Sequence, residues 1–331
     1  MEKLTASECA DRFISEWNGR SPAVSAHTSG STGTPKEILL SKEMMRRSAM
    51  RTISFFDITA RSRLHSCVSP AFIGGKMMVL RAILSGARFS IEEPSNNALA
   101  SVEGECIDLV SVVPSQLAGI LERGRPYPQV ARYLCGGSAI DPSLRESIVD
   151  AGLEVWESYG MTETASHIAL RRVERSPGPF YPLEGITVAL DSRGCLEIRE
   201  NGNLPDAIDV TTNDLATLTA DGGFRIDGRF DHMILTGGKK VLPEEVENRL
   251  RPTLAEAGLG SDDFFVTSRP DRRWTQAVVL VIAGAPELAA RLEKMIADLP
   301  ENIIPRWQRP KAVIPLPQLR HTPSGKLIRR L

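Results

Sequence analysis

The feature that most constrains the fold is an alternation of strand-like and helix-like segments between residues 107 and 160. The β-branched run IDLVSVV (107–113) ends at a proline, and SQLAGILER follows it with helical spacing. VARYLC (130–135) is closed by two glycines, and LEVWESYG (153–160) is a third strand-like run. Strands separated by helices at this pitch favour a parallel sheet covered by helices. Such sheets bind ligands at the carboxyl ends of their strands.

One helix boundary in this region is marked by its end residues. Asp141 is a typical N-cap, Pro142 suits the first turn, and the helix is expected to stop at Gly152.

After about residue 180 the pattern of apolar residues changes to period two, because GITVAL and CLEIRE flank the turn DSRG. That arrangement predicts a β-hairpin.

The last hundred residues form a third pattern. Helical segments (PEEVENRLRPTL, PELAARLEKMIADL) alternate with strand-like ones (DFFVTS, WTQAVVLVIA, KAVIPL). We therefore expect an α/β protein of two domains. Residues 1–230 would form a large N-terminal domain with a parallel sheet, helices and a small barrel-like β region. Residues 231–331 would form a small α+β domain.

Charge and composition exclude several function classes. The 331 residues carry 40 basic and 41 acidic side chains, so no net field favours nucleic acid or an anionic membrane. No apolar run approaches the roughly 18 residues that a membrane helix needs, and the N-terminus lacks the apolar centre of a signal peptide. The five cysteines are widely spaced, which predicts reduced thiols, no zinc or disulfide pattern and a cytoplasmic location.

The segment HTSGSTGTPK (27–36) has the composition of a phosphate-binding loop. Small residues let backbone N–H groups approach an anion, hydroxyls add donors, and a lysine adds a compact positive charge. Its spacing is not that of a Walker loop, and a flexible surface turn is the alternative. The candidate phosphate contacts are Thr28, Ser29, Gly30, Ser31, Thr32, Gly33 and Lys36.

This loop resembles the S/T-S-G-S/T-T-G-x-P-K motif of the adenylate-forming superfamily, which includes the acyl-CoA synthetases. Three further segments resemble that family's motifs in the same order. They are SYGMTETAS (158–166), TTNDLATL (211–218) with DGRFDHMILTGGKKVLPEEVE (227–247), and HTPSGKLIRR (321–330). The resemblance runs from about residue 25 to the end of the chain and implies the adenylate-forming fold, in which the small C-terminal domain is a mobile lid.

The resemblance also implies roles for single residues around ATP and Mg²⁺. Tyr159, beside Gly160, would pack on adenine, Thr162 would contact phosphate, and Glu163 would hold magnesium. A flat ring suits a base, and a carboxylate suits a hard cation. Lys326, in the C-terminal segment, would reach into the site as the catalytic lysine.

Further implied roles fall on the segments between 211 and 247. Asp214 and Arg229 would bind the ribose hydroxyls, although Asn213 stands where the family usually has glycine. Asp231 would be the hinge of the lid. Gly237 and Gly238 would line the path of the thiol, where glycines allow a narrow pantetheine arm to pass.

The segment SPAFIGGKMMVLRAILSGARF (69–89) resembles the acyl-pocket segment of o-succinylbenzoate–CoA ligases of menaquinone synthesis. Lys76 or Arg81 within it would suit that acid's second carboxylate, the alternative for each being a solvated surface charge. The phenylalanine near its start either walls an aryl acid or belongs to the core, and the histidine after the magnesium motif either contacts substrate or is a structural donor. The candidate substrate contacts are Phe72, Gly136, Gly137, Ser138, Ser166 and His167.

The implied function is an AMP-forming acid–CoA ligase, with ATP, Mg²⁺ and coenzyme A, acting on a small carboxylic acid, o-succinylbenzoate being the preferred one. Two alternatives stay open: an adenylating enzyme that loads a carrier protein or an amine, and a non-catalytic nucleotide-binding relative. Only 27 residues precede the phosphate loop's hydroxyl run, so the N-terminal part is expected to be reduced. A homodimer is one way to cover a pocket that this reduction leaves open.

Overall fold

A computed structural model describes residues 4–27, 36–102, 104–124, 129–322 and 327–331. The α-helices among these residues are α1 (Ala6–Asn18), α2 (Lys42–Phe55), α3 (Ile73–Ser85), α4 (Pro114–Glu122), α5 (Pro142–Asp150), α6 (Pro243–Glu256) and α7 (Pro286–Asp298). None of the helices in the described ranges is both long enough and apolar enough to span a bilayer.

The strands are β1 (Ala23–His27), β2 (Glu37–Ser41), β3 (Arg63–Ser66), β4 (Arg88–Ile91), β5 (Leu109–Val112), β6 (Tyr133–Cys135), β7 (Val155–Met161), β8 (Ser166–Arg172), β9 (Tyr181–Pro182), β10 (Ile186–Leu190), β11 (Cys195–Glu200), β12 (Asp209–Leu218), β13 (Phe224–Arg229), β14 (Ile234–Thr236), β15 (Lys239–Val241), β16 (Phe264–Asp271), β17 (Thr275–Ala283) and β18 (Val313–Leu316). The strands expected between residues 107 and 160 are β5, β6 and β7.

The largest sheet has seven strands in the order β4-β3-β5-β6-β7-β8-β9. Its first five strands are parallel, which confirms the predicted parallel sheet. The last two, β8 and β9, run antiparallel to their neighbours, which the sequence did not suggest. The reason is the connection, because β7 and β8 are joined by one tight turn, whereas parallel neighbours need a long crossover.

Apolar side chains cover both faces of this sheet, as expected for buried parallel strands. On one face, strand residues such as Val110 and Val112 pack against α4 and α5. On the other, Leu109 and Leu134 pack against α2 and α3. The carboxyl ends of the parallel strands are thereby held rigidly between two helical layers.

Helix α5 confirms the boundary read from its end residues. The Asp141 side chain accepts hydrogen bonds from the backbone N–H groups of Ser143 and Leu144, and Pro142 occupies the first turn. Gly152, just after the helix, has φ of 68°, the left-handed conformation that glycine adopts most readily. The Asp141 cap fixes the conformation in which the chain passes from the loop after β6 into α5.

The chain divides into two compact units. The first comprises Met1–Ala189, Glu197–Val210 and Leu218–Arg225, and the second comprises Leu190–Leu196, Thr211–Thr217 and Ile226–Leu331. The predicted hairpin pair β10 and β11 begins a four-stranded sheet in the order β10-β11-β12-β13. The assignment of residues 231–331 as a mobile lid stays a prediction.

The second unit has its own sheet and core. Its strands follow the order β15-β14-β17-β16, and β18 pairs in parallel with β17. Residues of α6 and α7, among them Leu250 and Leu292, pack on this sheet in one apolar cluster. The segments that the sequence assigned as helices and strands after residue 231 are present as such.

Candidate active site

Among the described residues, the segment with the most predicted site residues runs from β7 through a turn into β8 in the first unit. Strand β7 ends at Met161, so Tyr159 and Gly160 lie within it, as the strand-like run 153–160 predicted. Thr162 and Glu163 occupy a single 3₁₀ turn, with Thr162 half-buried and Glu163 exposed. The Thr164 hydroxyl donates to backbone oxygens on both sides of this turn, at Met161 and Ser166.

Only glycine fits at position 160, where β7 and β8 pack closely. A Cβ at this position would lie 2.3 Å from the backbone oxygen of Ser166 and 2.4 Å from Cα of His167. The register of β7 against β8 shifts between Tyr159 and Gly160, so the strand carries a bulge at the motif. A bulge re-aims the neighbouring side chains, and any side chain at Gly160 would force the two strands apart.

The Tyr159 ring belongs to an aromatic cluster. Its centroid lies 5.2 Å from that of Phe224 in an edge-on arrangement and 5.8 Å from that of Phe180. The two phenylalanines are themselves stacked, with centroids 5.7 Å apart. These contacts hold the tyrosine ring in one orientation, as a platform for a flat base requires. The sequence did not single out either phenylalanine.

His167 begins a chain of buried polar contacts between β8 and α2. Its Nε2 and the Thr52 hydroxyl are hydrogen-bonded at 3.0 Å, and the Ser48 hydroxyl donates to the backbone oxygen of Ala165 at 2.8 Å. Burial, and next the positive charge of Arg81, hold the pKa of His167 well below its ordinary value. The imidazole is therefore neutral at pH 7. Ser166 lies beside it, with its hydroxyl 3.4 Å from Nδ1.

Arg81 is the most unusual charged residue near this turn. It lies on α3 with 1% of its surface exposed. Among the described residues, neither its Nε nor its Nη2 has a hydrogen-bond partner. Burial lowers the pKa of the guanidinium to about 9, which leaves it charged at pH 7. A buried charge without a counterion is costly, so this guanidinium is suited to an anionic ligand.

The predicted acyl-site floor follows β6, next to β7. A Cβ on Gly136 would lie 2.7 Å from the Ser158 hydroxyl, and Gly137 has φ of 96°. Beneath this loop, the buried Glu157 carboxylate accepts a hydrogen bond from the backbone N–H of Ile140. Ser138 is exposed. Glycines here bring the loop against β7, where Tyr159 follows Ser158 in the same strand.

The acyl-pocket segment begins with Phe72, the half-buried N-cap of α3. A Cβ on Gly75 would lie 2.4 Å from the backbone of Ser69, so the first turn of α3 presses against the preceding loop. Lys76 lies over the ring of Phe13, 5.2 Å from its centroid, and burial lowers its pKa. Lys76 is one of the two cations considered for the acid's second carboxylate, and it already packs on an aromatic ring.

The second unit brings the predicted ribose contacts together. Arg229 Nη1 lies 3.1 Å from Asp214 Oδ1, and its Nε and Nη2 each donate to Asp231 at 2.9 Å. Asn213, at the departure from the family pattern, accepts a hydrogen bond from Arg193. The Arg229 guanidinium thus holds the carboxylates of Asp214 and of Asp231, the predicted hinge residue, close together.

Gly237 and Gly238 form the two-residue turn between β14 and β15, with φ of 54° and 78°. Positive φ at both central residues is the hairpin turn that glycine favours. A Cβ on Gly237 would also meet the ring of Trp274 at 2.8 Å. Both conformation and space therefore require glycine at the first position.

Several predicted residues lie outside the described residues. They are Thr28, Ser29, Gly30, Ser31, Thr32, Gly33 and Lys326. Lys36 is described and exposed, directly before β2. The phosphate contacts and the catalytic lysine therefore stay predictions.

A comparison of the sequence with models of protein families identifies the family of this chain. The model for the AMP-binding enzyme family matches residues 3–204, which is more than half of the chain. The chain therefore belongs to the AMP-binding enzyme family.

Two curated relatives indicate the class within that family. An indoleacetate–CoA ligase of Aromatoleum aromaticum is 28% identical over 93% of this chain and 66% of its own length. A 2-succinylbenzoate–CoA ligase of Bacillus cytotoxicus is 27% identical over 92% and 68%. The chain thus spans about two thirds of the length of these relatives. The predicted enzyme class, an AMP-forming acid–CoA ligase, is confirmed at the level of the family.

Solved structures confirm the fold. An AMP-forming acyl-CoA synthetase-like protein from Dyadobacter fermentans covers 99% of this chain and 94% of its own, with 30% identity and a TM-score of 0.64. The o-succinylbenzoate CoA synthetase of Bacillus subtilis, in complex with ATP and magnesium, covers 92% and 68%, with 22% identity and a TM-score of 0.77. The predicted adenylate-forming fold is therefore correct.

Proposed function

We propose that this chain is an ATP-dependent acid–CoA ligase whose substrate is o-succinylbenzoate, the acid activated in menaquinone biosynthesis. The observation that carries the choice of acid is the buried guanidinium of Arg81, whose Nε and Nη2 have no hydrogen-bond partner in the described part of the chain. o-Succinylbenzoate has two carboxylates. One is activated, and the other needs a cation.

Arg81 suits that role in both chemistry and position. A guanidinium presents its N–H groups in a fork that matches a carboxylate. Its charge acts on His167, which directly follows Ser166 of the motif. The neutral imidazole next to it adds a group that can donate or accept a hydrogen bond without adding charge. Indoleacetate has a single carboxylate, so its activation leaves this guanidinium without an anion.

In the first half-reaction the acid's carboxylate attacks the α-phosphorus of ATP, and pyrophosphate leaves. The aromatic platform of Tyr159 would hold the base, and Asp214 with Arg229 would bind the ribose. Glu163 suits a magnesium ion, since its exposed carboxylate makes no ion pair with the described residues. Magnesium bound with ATP neutralises charge on the phosphate oxygens. Lys326 would contribute a further positive charge there.

In the second half-reaction the thiol of coenzyme A attacks the acyl adenylate, and AMP leaves. The family's lid motion about Asp231 would withdraw Lys326 and bring in the Gly237–Gly238 turn. One site then serves two reactions through a domain motion. A cytoplasmic location and a homodimer stay predictions that accompany this proposal.

The test of the substrate is pyrophosphate release with ATP and magnesium across o-succinylbenzoate, indoleacetate and benzoate, followed by mass spectrometry for the CoA thioester. We expect turnover to be fastest with o-succinylbenzoate. Turnover of another acid while o-succinylbenzoate is silent would remove the menaquinone assignment and leave the ligase class. Silence with every acid would favour a nucleotide-binding protein without catalysis, and a product on a carrier protein or an amine would favour that alternative acceptor.

Lys326→Ala tests the two-step mechanism. Removing a charge that acts only on the developing transition state typically costs on the order of 10²–10³ in rate. We expect that loss in pyrophosphate release, whereas thioester formation from supplied acyl adenylate is spared. An equal loss in both steps would contradict the lid motion.

A further inference from the structure

Three side chains with metal-binding atoms meet at the carboxyl ends of β3 and β4, in the first unit. His65 lies in β3, and Cys67 directly follows the last residue of that strand, two positions on and so on the same side of the chain. His65 pairs in parallel with Ser90 of β4, and Glu92 follows two residues later on that same face. One ligand atom from each of His65, Cys67 and Glu92 lies within 4.8 Å of the others.

The histidine of this cluster has a hydrogen-bond partner for one of its two ring nitrogens. His65 is fully buried, and its Nδ1 is hydrogen-bonded to the Ser90 hydroxyl at 2.8 Å. Its other nitrogen, Nε2, has no hydrogen-bond partner among the described residues. The Glu92 Oε2 atom lies 3.8 Å from Nε2, beyond hydrogen-bond range. One nitrogen oriented by a second group and the other directed at a thiol and a carboxylate is the arrangement of a metal-bound imidazole.

The carboxylate is likewise held in place from behind. Glu92 Oε1 accepts a hydrogen bond from the Leu99 backbone N–H at 2.6 Å, and Oε2 accepts one from the Ser101 hydroxyl at 2.7 Å. Cys67 is fully buried and is not in a disulfide. The cluster is therefore inside the protein, with two of its three members oriented by neighbours.

We propose that His65, Cys67 and Glu92 bind a divalent cation of the zinc class, with water as the fourth ligand. Imidazole, thiolate and carboxylate are all zinc ligands, whereas a thiolate disfavours magnesium. Ligand atoms around tetrahedral zinc lie about 3.3–3.8 Å apart, so shifts of roughly an ångström close the cluster. Binding forms three protein–metal bonds and releases the thiol proton to solvent.

The ion would join β3, β4 and the segment that carries Leu99 and Ser101. Cys67 also precedes Ser69, where the acyl-pocket segment begins, by two residues. A structural ion at this place fixes the start of that segment. The sequence showed no zinc spacing because the ligands come from two strands, and their proximity depends on the pairing of β3 with β4.

The test is cobalt(II) binding to the full chain after removal of metals by a chelator, followed by zinc competition. We expect one equivalent of cobalt, a thiolate-to-cobalt charge-transfer band, loss of that band on adding zinc, and a higher Tm in the presence of zinc. Cys67→Ser removes the band. Cys106→Ser, an exposed thiol, and Cys135→Ser, a buried thiol of the same sheet, keep it. Ser90→Ala weakens binding on the order of 10-fold, because the ring loses its orienting contact.

The proposal is overturned if the metal-free wild-type chain binds neither cobalt nor zinc, or if the band persists in Cys67→Ser. Should Cys67→Ser fail to fold, His65→Gln and Glu92→Gln replace it, with the same loss expected. If cobalt binds without a thiolate band, the ion is at another site and the proposal fails. None of these outcomes depends on which acid the chain activates.

Discussion

Two buried charges, one in each compact unit, are treated in opposite ways. In the second unit the Glu247 carboxylate is 4% exposed and is fully occupied. It accepts two hydrogen bonds from the Arg329 guanidinium, at 2.5 and 2.9 Å, and one from the Val266 backbone N–H. In the first unit the Arg81 guanidinium is 1% exposed, and two of its nitrogens have no partner in the described residues.

The first unit does pair its other buried charges. Glu157 is bound by Arg145 and Arg171 at 3.0 and 2.8 Å. Glu200 is bound by Arg47 and Arg51. The unpaired state of Arg81 is therefore not a general property of this unit. A paired buried charge thus belongs to the structure, whereas an unpaired one close to a motif is a place for an anionic ligand.

The largest effect is expected from Arg81→Met, which removes the unpaired buried charge of the first unit. Losing the cation that faces a buried carboxylate typically costs 2–5 kcal/mol of binding, so kcat/KM for o-succinylbenzoate should fall by roughly 30- to 4,000-fold. Activity with an acid that has one carboxylate should change far less. The free energy of unfolding should stay level or rise, because an unpaired buried charge is removed. Pyrophosphate release and urea unfolding measure the two effects.

Arg329→Met is the matched control for this prediction. It removes an arginine that is paired, so it should lower the free energy of unfolding and leave the preference among acids unchanged. If Arg81→Met instead destabilises the chain and reduces all acids alike, Arg81 is a structural cation and the assignment of the second carboxylate is wrong.

Glu247→Gln tests the paired charge of the second unit. The substitution keeps the shape but removes the carboxylate that Arg329, whose side chain is 26% exposed, binds most closely, and leaves it only Glu244 at 4.0 Å. Breaking a fully buried pair costs 3–5 kcal/mol, and partial exposure reduces this to about 2–3 kcal/mol here. Urea unfolding measures it. Glu301→Gln, which breaks the exposed pair with Arg306, should change stability by less than about 0.5 kcal/mol. Equal effects in the two variants would contradict the distinction.

The smallest expected effect is a pH dependence from His167, the neighbour of Arg81. Its folded pKa lies below its unfolded pKa, because burial and the Arg81 charge disfavour the imidazolium. As pH falls below about 6.5, the unfolded state binds a proton that the folded state does not, so stability falls by up to about 1.4 kcal/mol per pH unit. Unfolding free energies between pH 7.5 and 5 should show this loss, and His167→Gln should remove it.

The control for this measurement is His27→Gln, because His27 is exposed. It should leave the slope of stability against pH unchanged. If Arg81→Met leaves the His167 slope as steep as in the wild type, burial alone sets the pKa of that imidazole.

Local pattern was enough to predict several elements. The helix from Pro142 begins behind its Asp141 cap, and the elements after residue 231 are those read from their periodicity. Such features are decided within a few residues of the chain. The antiparallel return of β8 was missed, because Thr162–Thr164 contain no glycine or proline that would mark a tight turn.

The family, the parallel part of the sheet and the capped start of α5 could be predicted from local sequence. The need for glycine at Gly160, the partners of the buried charges, the rings around Tyr159 and the meeting of His65, Cys67 and Glu92 became visible only in the folded chain. Those contacts join residues far apart in the chain. Their proximity follows from strand order and helix packing, which no local pattern encodes.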